Sequence, residues 1–264
     1  GKVNEMKKRI AAIVLCALLV VCVFPTATFA AQNNEDIIIL YENDVHCAVE
    51  GYSRLSAMKK ELQDSYAHVG VVSGGDYIQG SSLGAISQGQ YIVDLMNLVG
   101  YDAVTLGNHE FDYRMERLAE LVGMMDTKPV CCNFQKIGET ESYFEPYTIV
   151  SYGDVDIAYI GITTPHTITS SSPAQFKDES GEYIYTFNPT ALYDFVQDAI
   201  DSAKSEGADY VIALSHIGYA DNETYGDLED VEDLIGNTDG FDVVLDAHSH
   251  SVIEGKTVVD EGGN

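Results

Sequence analysis

The sequence is poor in basic residues and in cysteine, and it has no apolar run long enough to cross a bilayer comfortably. Only 14 lysines and arginines stand against 42 aspartates and glutamates, which gives a net charge of −28 at pH 7. A surface this acidic repels phosphate backbones and excludes nonspecific binding to nucleic acid. Any anionic ligand would need local positive charge, of the kind that bound metal ions supply.

The longest apolar run lies near the N-terminus and predicts a secretory signal peptide over residues 1–30. Basic residues 7–9 precede the apolar residues 10–24, and residues 28–30 form a cleavage site ending in alanine. Because this run is too short for a comfortable membrane span, membrane contact is expected only if the segment stays uncleaved. We expect a protein that is secreted, or held in the cell envelope, with residues 31–35 as a short linker.

Removal of this leader would make the chain more acidic and would leave three cysteines. The leader holds four of the 14 basic and one of the 42 acidic residues, so the remainder carries a net charge of −31. Cys47, Cys131 and Cys132 remain, and an odd count with two adjacent members is no disulfide framework. Cys131 and Cys132 are predicted to be buried thiols of a strand.

Strand-like apolar runs alternate with helical patterns from residue 36 onward, which indicates a layered α/β domain rather than a barrel or a bundle. Helices are predicted at residues 54–66, 91–99, 115–125, 191–205 and 228–235. Shorter strand-like segments are predicted at residues 130–133, at 147–151 and 155–162 as an antiparallel hairpin, and at 258–260 before a turn. Residues 163–182, rich in Ser, Thr, Pro and Gly, are predicted to form a long surface loop.

Polar side chains that can bind metal ions follow five of the apolar runs. These runs are residues 37–41, 69–73, 103–106, 210–215 and 241–246. Because strands of an open α/β sheet present their carboxyl ends at one edge, residues that follow them should meet there. The residues concerned are Asp44, His46, Asp76, Asn108, His109, Asp112, His216, His248 and His250. Imidazoles, carboxylates and one carboxamide can hold two divalent metals, which predicts a metal-dependent hydrolase.

Residues 107–112 (Gly-Asn-His-Glu-Phe-Asp) form the most specific of these segments. Asn108 offers a neutral oxygen ligand, and His109 and Asp112 would share one face if a helix begins here. An aspartate that accepts a hydrogen bond from one ring nitrogen fixes the tautomer of the histidine and supports its protonated form. Glu110 is expected to point to solvent or to cap the helix.

Each cluster taken alone also has an ordinary explanation. Asp44 and His46 could be a turn aspartate near a surface histidine, and the glycines before Asp76 could form an ordinary turn. The coincidence of five such clusters at predicted strand ends is what favours a shared site. His68 and His166 fall outside this pattern and receive no predicted role.

On these motifs the chain resembles the calcineurin-like metallophosphatases, specifically the N-terminal domain of secreted bacterial 5′-nucleotidases and 2′,3′-cyclic-nucleotide phosphodiesterases. The resemblance covers residues 36–260, and the segment Gly-Asn-His-Glu-Phe-Asp is specific to that group. Ser-Gly-Gly-Asp, the following Gln79-Gly80, and residues 161–165 are similar to its pattern as well. The resemblance implies an α/β fold, a four-layer α/β/β/α sandwich, with a dimetal site at the edge of the sheets.

The resemblance also implies roles for individual residues. One metal would be held by Asp44, His46, Asp76 and His250. The other would be held by Asp76, which bridges, and by Asn108, His216 and His248. His109 would stabilise the phosphoryl transition state or protonate the leaving group, with Asp112 orienting it. The mixed nitrogen and oxygen ligands accommodate zinc, manganese, iron or cobalt.

The function so implied is that of a secreted dimetal phosphoesterase that hydrolyses nucleoside 5′-monophosphates, with a small-molecule nucleotide as substrate. The alternatives are a 2′,3′-cyclic-nucleotide phosphodiesterase/3′-nucleotidase, a UDP-sugar hydrolase, and a catalytically weak metal-binding fragment. Residues 36–264 are expected to form the metallophosphatase domain, truncated near its C-terminal edge and lacking the nucleoside-binding domain that usually follows. The sequence specifies no oligomeric state.

Overall fold

The computed structural model describes residues 34–219 and 230–264, so the predicted signal peptide lies outside the described residues. The strands described are β1 (Asn34–Glu42), β2 (Tyr66–Ser73), β3 (Ala103–Val104), β4 (Gln135–Lys136), β5 (Tyr147–Tyr152), β6 (Val155–Thr163), β7 (Tyr185–Thr186), β8 (Tyr210–His216) and β9 (Val243–Asp246). The α-helices described are α1 (Val49–Gln63), α2 (Ser82–Ser87), α3 (Gln90–Val99), α4 (Met115–Met124), α5 (Thr167–Ser170), α6 (Leu192–Ser205) and α7 (Val231–Gly236). Short 3₁₀ helices lie at His109–Phe111 and Pro173–Phe176.

Most of the strands belong to two sheets. The first sheet has the order β1-β2-β3, and all its strands are parallel. The second has the order β5-β6-β8-β9, in which β5 pairs antiparallel with β6 and the other pairs are parallel. β4 and β7 form a separate antiparallel pair. The hairpin predicted from the sequence is therefore confirmed as β5 and β6, and its turn contains Gly153 with a φ of 67°.

Side chains along the strands alternate between two faces, and this alternation places an apolar layer on each side of both sheets. In β6, Ala158 and Ile160 pack in the layer that contains α6, whereas Ile157 and Tyr159 lie in a layer shared with the first sheet. Val72 of β2 belongs to that shared layer. The opposite face of the first sheet packs with α1, α3 and α4. The mixed α/β fold is confirmed, and its layering is that of an α/β/β/α sandwich.

The helix α6 shows why the helical predictions at strongly periodic segments hold. Its buried residues recur at helical spacing: Leu192, Val196, Ala199, Ile200 and Ala203. Each fully buried leucine, valine or isoleucine of such a face contributes roughly 1.5–3 kcal/mol relative to an exposed one. The observed helix begins one residue after the predicted start and ends where predicted.

The segment after α4 links the two sheets. Val130 forms an isolated parallel bridge with Thr105, and the main-chain N–H of Cys132 donates to the carbonyl oxygen of Gly161 in β6. A Cβ at position 161 would overlap the carbonyl oxygen of Val130, so this close approach requires glycine. The strand predicted at residues 130–133 is therefore only a bridge. Cys131 and Cys132 are buried free thiols, as predicted.

Two further predictions about elements need correction, and one helix was not predicted. The segment 163–182 is not irregular throughout, because it contains α5 and the 3₁₀ helix Pro173–Phe176. The short helix α2 was not predicted, and it begins where the side chain of Ser81 accepts a hydrogen bond from the Gly84 N–H. Residues 258–260 form no strand with any described partner, although the turn after them is present. None of the helices described is long and apolar enough to cross a membrane.

Candidate metal centre

The carboxyl ends of β1, β2, β3, β8 and β9 bring together all seven residues predicted to bind metal. Three groups have ligand atoms within 4.8 Å of one another: Asp44, His46 and His250; His46, Asp76 and His109; and Asp76, His216 and His248. The seventh residue, Asn108, lies with its Oδ1 3.3 Å from the Nε2 of His216. Residues separated by up to about two hundred positions therefore share one site, because parallel strands end at the same edge.

One carboxylate oxygen stands between the two halves of this site. The Oδ2 atom of Asp76 lies 3.1 Å from the Nε2 of His216 and 3.8 Å from the Nε2 of His46. Asp76 is only 2% exposed, and its other oxygen accepts a hydrogen bond of 2.8 Å from the His109 N–H. An oxygen that faces two sets of imidazole nitrogens has the placement of a bridging ligand.

Hydrogen bonds to the main chain orient two of the histidines for metal binding. The Nδ1 of His216 lies 2.7 Å from the carbonyl oxygen of Gly74, and the Nδ1 of His46 lies 3.1 Å from that of Gln79. A carbonyl oxygen only accepts, so Nδ1 is the donor in both rings and Nε2 of the neutral ring carries the lone pair. Both Nε2 atoms point toward Asp76, which fits a site built for cations.

Asp44 and His250 join His46 in one half of the site, called here the first half-site. The Nε2 of His250 lies 3.3 Å from the Oδ1 of Asp44 and 3.3 Å from the Nε2 of His46. Nitrogen and oxygen atoms that converge at this spacing form a donor set suited to zinc, manganese, iron or cobalt. The residues present therefore fit the divalent ions that the fold implies.

Asp76, His216 and His248 form the second half-site. Their pKa values follow from burial and from one close ion pair. Burial acts to lower the pKa of His216, but the charge of Asp76 outweighs it and raises that pKa to about 9. Burial acts to raise the pKa of Asp76, and His216 nevertheless holds it below its ordinary value. Burial, followed by the charge of His216, lowers the pKa of His248 to about 4. A divalent ion bound here would take the place of the His216 proton.

His109 and Asp112 form the pair that the sequence predicted. The Nδ1 of His109 lies 2.7 Å from the Oδ2 of Asp112, and this hydrogen bond raises the pKa of His109 above its usual value. The local structure is a 3₁₀ helix rather than an α-helix, and its three residues per turn place the two side chains on one face. The Ser171 hydroxyl donates to the other Asp112 oxygen at 2.8 Å, a contact that the sequence did not indicate.

Glu110 does not point to solvent and does not cap a helix, so that prediction is wrong. It is 1% exposed, and its Oε2 accepts hydrogen bonds from the N–H groups of Asp76 and Gly107, at 2.8 and 2.7 Å. Its Oε1 accepts from those of Tyr77 and Ile78, at 2.8 and 3.2 Å. Burial, and then the charge of Asp76, raise its pKa to about 7. One buried side chain thus ties the loop of Asp76 to the segment that carries Asn108 and His109.

Backbone strain is concentrated at the candidate ligands. Five of the seven have a positive φ: Asp44 at 49°, His46 at 45°, Asp76 at 59°, His248 at 76° and His250 at 54°. This left-handed conformation is uncommon for residues other than glycine, and each case costs on the order of 1–3 kcal/mol. Such outliers persist where the surrounding structure holds them, and they cluster at functional sites.

His166 belongs near this site, although it received no predicted role. Its ring centroid lies 6.3 Å from that of His248, and it follows the carboxyl end of β6. The strand-end rule that selected the other residues would have found it if the segment 163–182 had not been set aside as a loop. His68 does lie elsewhere, because its Nε2 faces the Glu35 carboxylate at 3.8 Å.

The layered α/β fold and a carboxylate shared by two histidine clusters at the sheet edges define a metallophosphatase. The model of the calcineurin-like phosphoesterase family matches residues 38–252. The chain belongs to this family. The enzyme class predicted from the sequence, metal-dependent phosphoric ester hydrolase, is confirmed at the level of the family.

Curated relatives match most of this chain. It is 27% identical to the snake venom 5′-nucleotidase of Gloydius brevicauda over 254 residues, which cover 87% of this chain and 40% of that protein. It is 26% identical to a 2′,3′-cyclic-nucleotide 2′-phosphodiesterase/3′-nucleotidase of Haemophilus influenzae over 256 residues, covering 85% of this chain and 38% of that protein. The chain thus spans about two fifths of the length of these relatives.

Solved structures agree on the fold. The calcineurin-like phosphoesterase YfkN of Bacillus subtilis aligns with a TM-score of 0.68 and 25% identity, over 83% of this chain and 74% of that one. A 5′-nucleotidase precursor of Thermus thermophilus aligns with a TM-score of 0.67 and 24% identity, over 82% of this chain and 42% of that one.

Proposed function

We propose that this chain is a secreted or cell-envelope dimetal phosphoesterase that hydrolyses nucleoside 5′-monophosphates. The observation that carries the two-metal assignment is the placement of Asp76 Oδ2 within 3.1 Å of His216 Nε2 and 3.8 Å of His46 Nε2. The relatives named 5′-nucleotidase support the substrate class. The predicted signal peptide supports the location.

Two divalent ions would divide the ligands between them. The first would be held by Asp44, His46, Asp76 and His250, and the second by Asp76, Asn108, His216 and His248. The spacing of the ligand groups supports this division, with Asp76 common to both sets. His109 also approaches His46 and Asp76, but its Nδ1 is hydrogen-bonded to Asp112, and we assign it to the substrate rather than to an ion.

The chain's own residues would orient the substrate and move one proton. Two bound divalent ions would acidify a water molecule and neutralise charge on the phosphoryl oxygens. Asp112 holds the His109 ring through Nδ1, and Ser171 holds Asp112. This arrangement favours the protonated His109 imidazole, whose Nε2–H could stabilise the phosphoryl group or be donated to the leaving alkoxide. A nucleoside alkoxide is a poor leaving group and needs that proton.

Phosphate release from AMP by the purified full chain, with manganese or zinc added, tests this function. We expect hydrolysis that chelation abolishes and added metal restores. The His109→Ala variant should lose about 10²–10⁴-fold in kcat while it still binds both ions, because only the proton donor is removed. His68→Ala is the matched control and should keep full activity, since His68 lies outside the site.

A second candidate function is that of a 2′,3′-cyclic-nucleotide phosphodiesterase/3′-nucleotidase. The 26% identity to such an enzyme over 256 residues is close to the identity with the 5′-nucleotidases. A panel of AMP, 3′-AMP, 2′,3′-cyclic AMP and UDP-glucose separates these activities and includes UDP-sugar hydrolysis. Two bound ions without turnover of any of them, or of a small generic phosphoester, would instead identify an inert metal-binding fragment.

A further inference from the structure

We propose that Asp246 is a positioning residue that holds His216 and His248 in place for one of the two ions. This inference rests on the proposed two-metal site and deepens it. Asp246 ends β9, two residues before His248, and it lies opposite Ser215, the neighbour of His216. The sequence placed Asp246 at the end of the apolar run 241–246 and predicted no role for it.

The Asp246 carboxylate bonds to both sides of His216. Its Oδ1 accepts a hydrogen bond of 2.6 Å from the Ser215 hydroxyl and one of 3.2 Å from the Ile217 N–H. The Gly218 N–H donates to both carboxylate oxygens, at 3.3 and 3.1 Å. The residues before and after His216 are therefore held by one group on the strand that leads to His248.

These contacts begin where the sheet ends. The pair Ser215 and Asp246 is the last in the register of β8 with β9, so the strands separate just before their histidines. The carboxylate satisfies main-chain N–H groups that the sheet no longer pairs. The carbonyl oxygen of Asp246 also accepts a hydrogen bond of 2.7 Å from the Tyr41 hydroxyl in β1. Asp246 thus joins three strands that lead to candidate ligands.

Asp246 acts on the site without being a ligand itself. It belongs to none of the groups of closely spaced ligand atoms found among the described residues. Every hydrogen bond described for its carboxylate runs to residues 215–218 of the β8 end. Partners that orient ligands in this way typically contribute 10–100-fold to metal affinity.

The chain supplies a matched control at the other end of the same strand. Asp242 precedes β9, and its Oδ2 accepts a hydrogen bond of 2.8 Å from the Val211 N–H of β8. Asp242 and Asp246 therefore both connect β9 to β8 through a carboxylate and main-chain N–H groups. Only Asp246 does so beside the histidines, because Val211 lies near the start of β8.

The test is manganese binding to the full chain, measured by titration calorimetry, for the Asp246→Ala, Asp246→Asn, Asp242→Ala and Asp242→Asn variants. We expect Asp246→Ala to weaken the binding of one of the two ions by about 10–100-fold. The other ion should bind with nearly its wild-type affinity. Asp246→Asn should lose less affinity, because its amide keeps one acceptor oxygen. Some loss remains, because the NH₂ group faces an N–H donor. Both Asp242 variants should bind two ions as the wild type does.

Wild-type affinity for both ions in a folded Asp246→Ala variant would overturn the proposal. If circular dichroism shows that this variant does not fold, Asp246→Asn decides: a folded protein with unchanged affinities overturns the proposal, and selective loss at one ion supports it. The proposal would also be overturned if the Asp242 variants lost as much affinity for manganese as the Asp246 variants. Because binding is measured without turnover, a wild type that binds two ions but hydrolyses no phosphoester defeats the proposed function alone.

Discussion

At the scale of single residues, two carboxylates beside the site contact candidate ligands or their neighbours without being candidate ligands themselves. Glu110 and Asp246 both accept hydrogen bonds from main-chain N–H groups next to candidate ligands. Such bonds to an ionised group are stronger than those between neutral partners. The bonds to Glu110 include one from the N–H of Asp76 itself, so they can hold Asp76 in a conformation with positive φ that the isolated backbone disfavours.

Replacement of Glu110 by glutamine should destabilise the protein by about 1–3 kcal/mol, because a buried donor would lose its acceptor. Two N–H groups face each oxygen of Glu110, so the NH₂ group of an amide meets donors in either orientation. The free energy of unfolding in denaturant measures the effect. Glu61→Gln on the exposed face of α1 is the control, and an equal free energy for both variants would contradict this account.

At the scale of elements, the site depends on where strands end and on how the two sheets are joined. The candidate ligands follow β1, β2, β3, β8 and β9, which belong to two different sheets. Their relative placement therefore depends on the contacts between the sheets. The bridge from Val130 to Thr105 and the bond from Cys132 to Gly161 are two of those contacts.

Gly161→Ala should cost about 1–3 kcal/mol of stability, because the added Cβ overlaps the carbonyl oxygen of Val130 and the main chain must shift. Gly123→Ala is a control of the same chemistry: nothing lies within 4 Å of a Cβ there, and alanine favours the helix α4 by up to about 1 kcal/mol. Thermal and denaturant unfolding measure the stability of the two variants. A Gly161→Ala protein as stable as the wild type would show that the two sheets approach less closely.

At the scale of the whole molecule, charge is the dominant property. A net charge of −28 opposes the approach of a phosphoester, and residues 34–264 include only three arginines: Arg54, Arg114 and Arg117. Two divalent ions at the edge of the sheets would reverse the sign of the potential locally. They would also neutralise the carboxylates gathered there, whose mutual repulsion is uncompensated without the ions.

Manganese or zinc should therefore raise the melting temperature of chelator-treated protein. At about 100 times its dissociation constant, each ion adds about 2.7 kcal/mol, and each kcal/mol is worth about 2–4 °C for a domain of this size. Asp76→Ala should show a much smaller rise, since Asp76 serves both proposed sites, whereas His68→Ala should respond like the wild type. A melting temperature that does not respond to either metal would contradict the two-metal proposal.

The sequence alone was sufficient for the features that depend on local patterns. Helical periodicity located α6 to within one residue, and the turn at Gly153 indicated the hairpin of β5 and β6. The rule that ligands follow strand ends selected Asp44, His46 and seven further residues that the structure places at one edge. This convergence could be predicted because strand ends and polar residues are both visible in the sequence within a few positions of one another.

Partners that are distant in sequence were decided by the tertiary structure alone. Glu110 bonds to main-chain groups more than thirty positions earlier, and Asp246 bonds to groups about thirty positions earlier. His166 approaches His248, and Ser171 donates to Asp112, across more than fifty positions of sequence in each case. The physical reason is that main-chain N–H and carbonyl groups are the same at every position, so the sequence does not show which of them a buried side chain will meet.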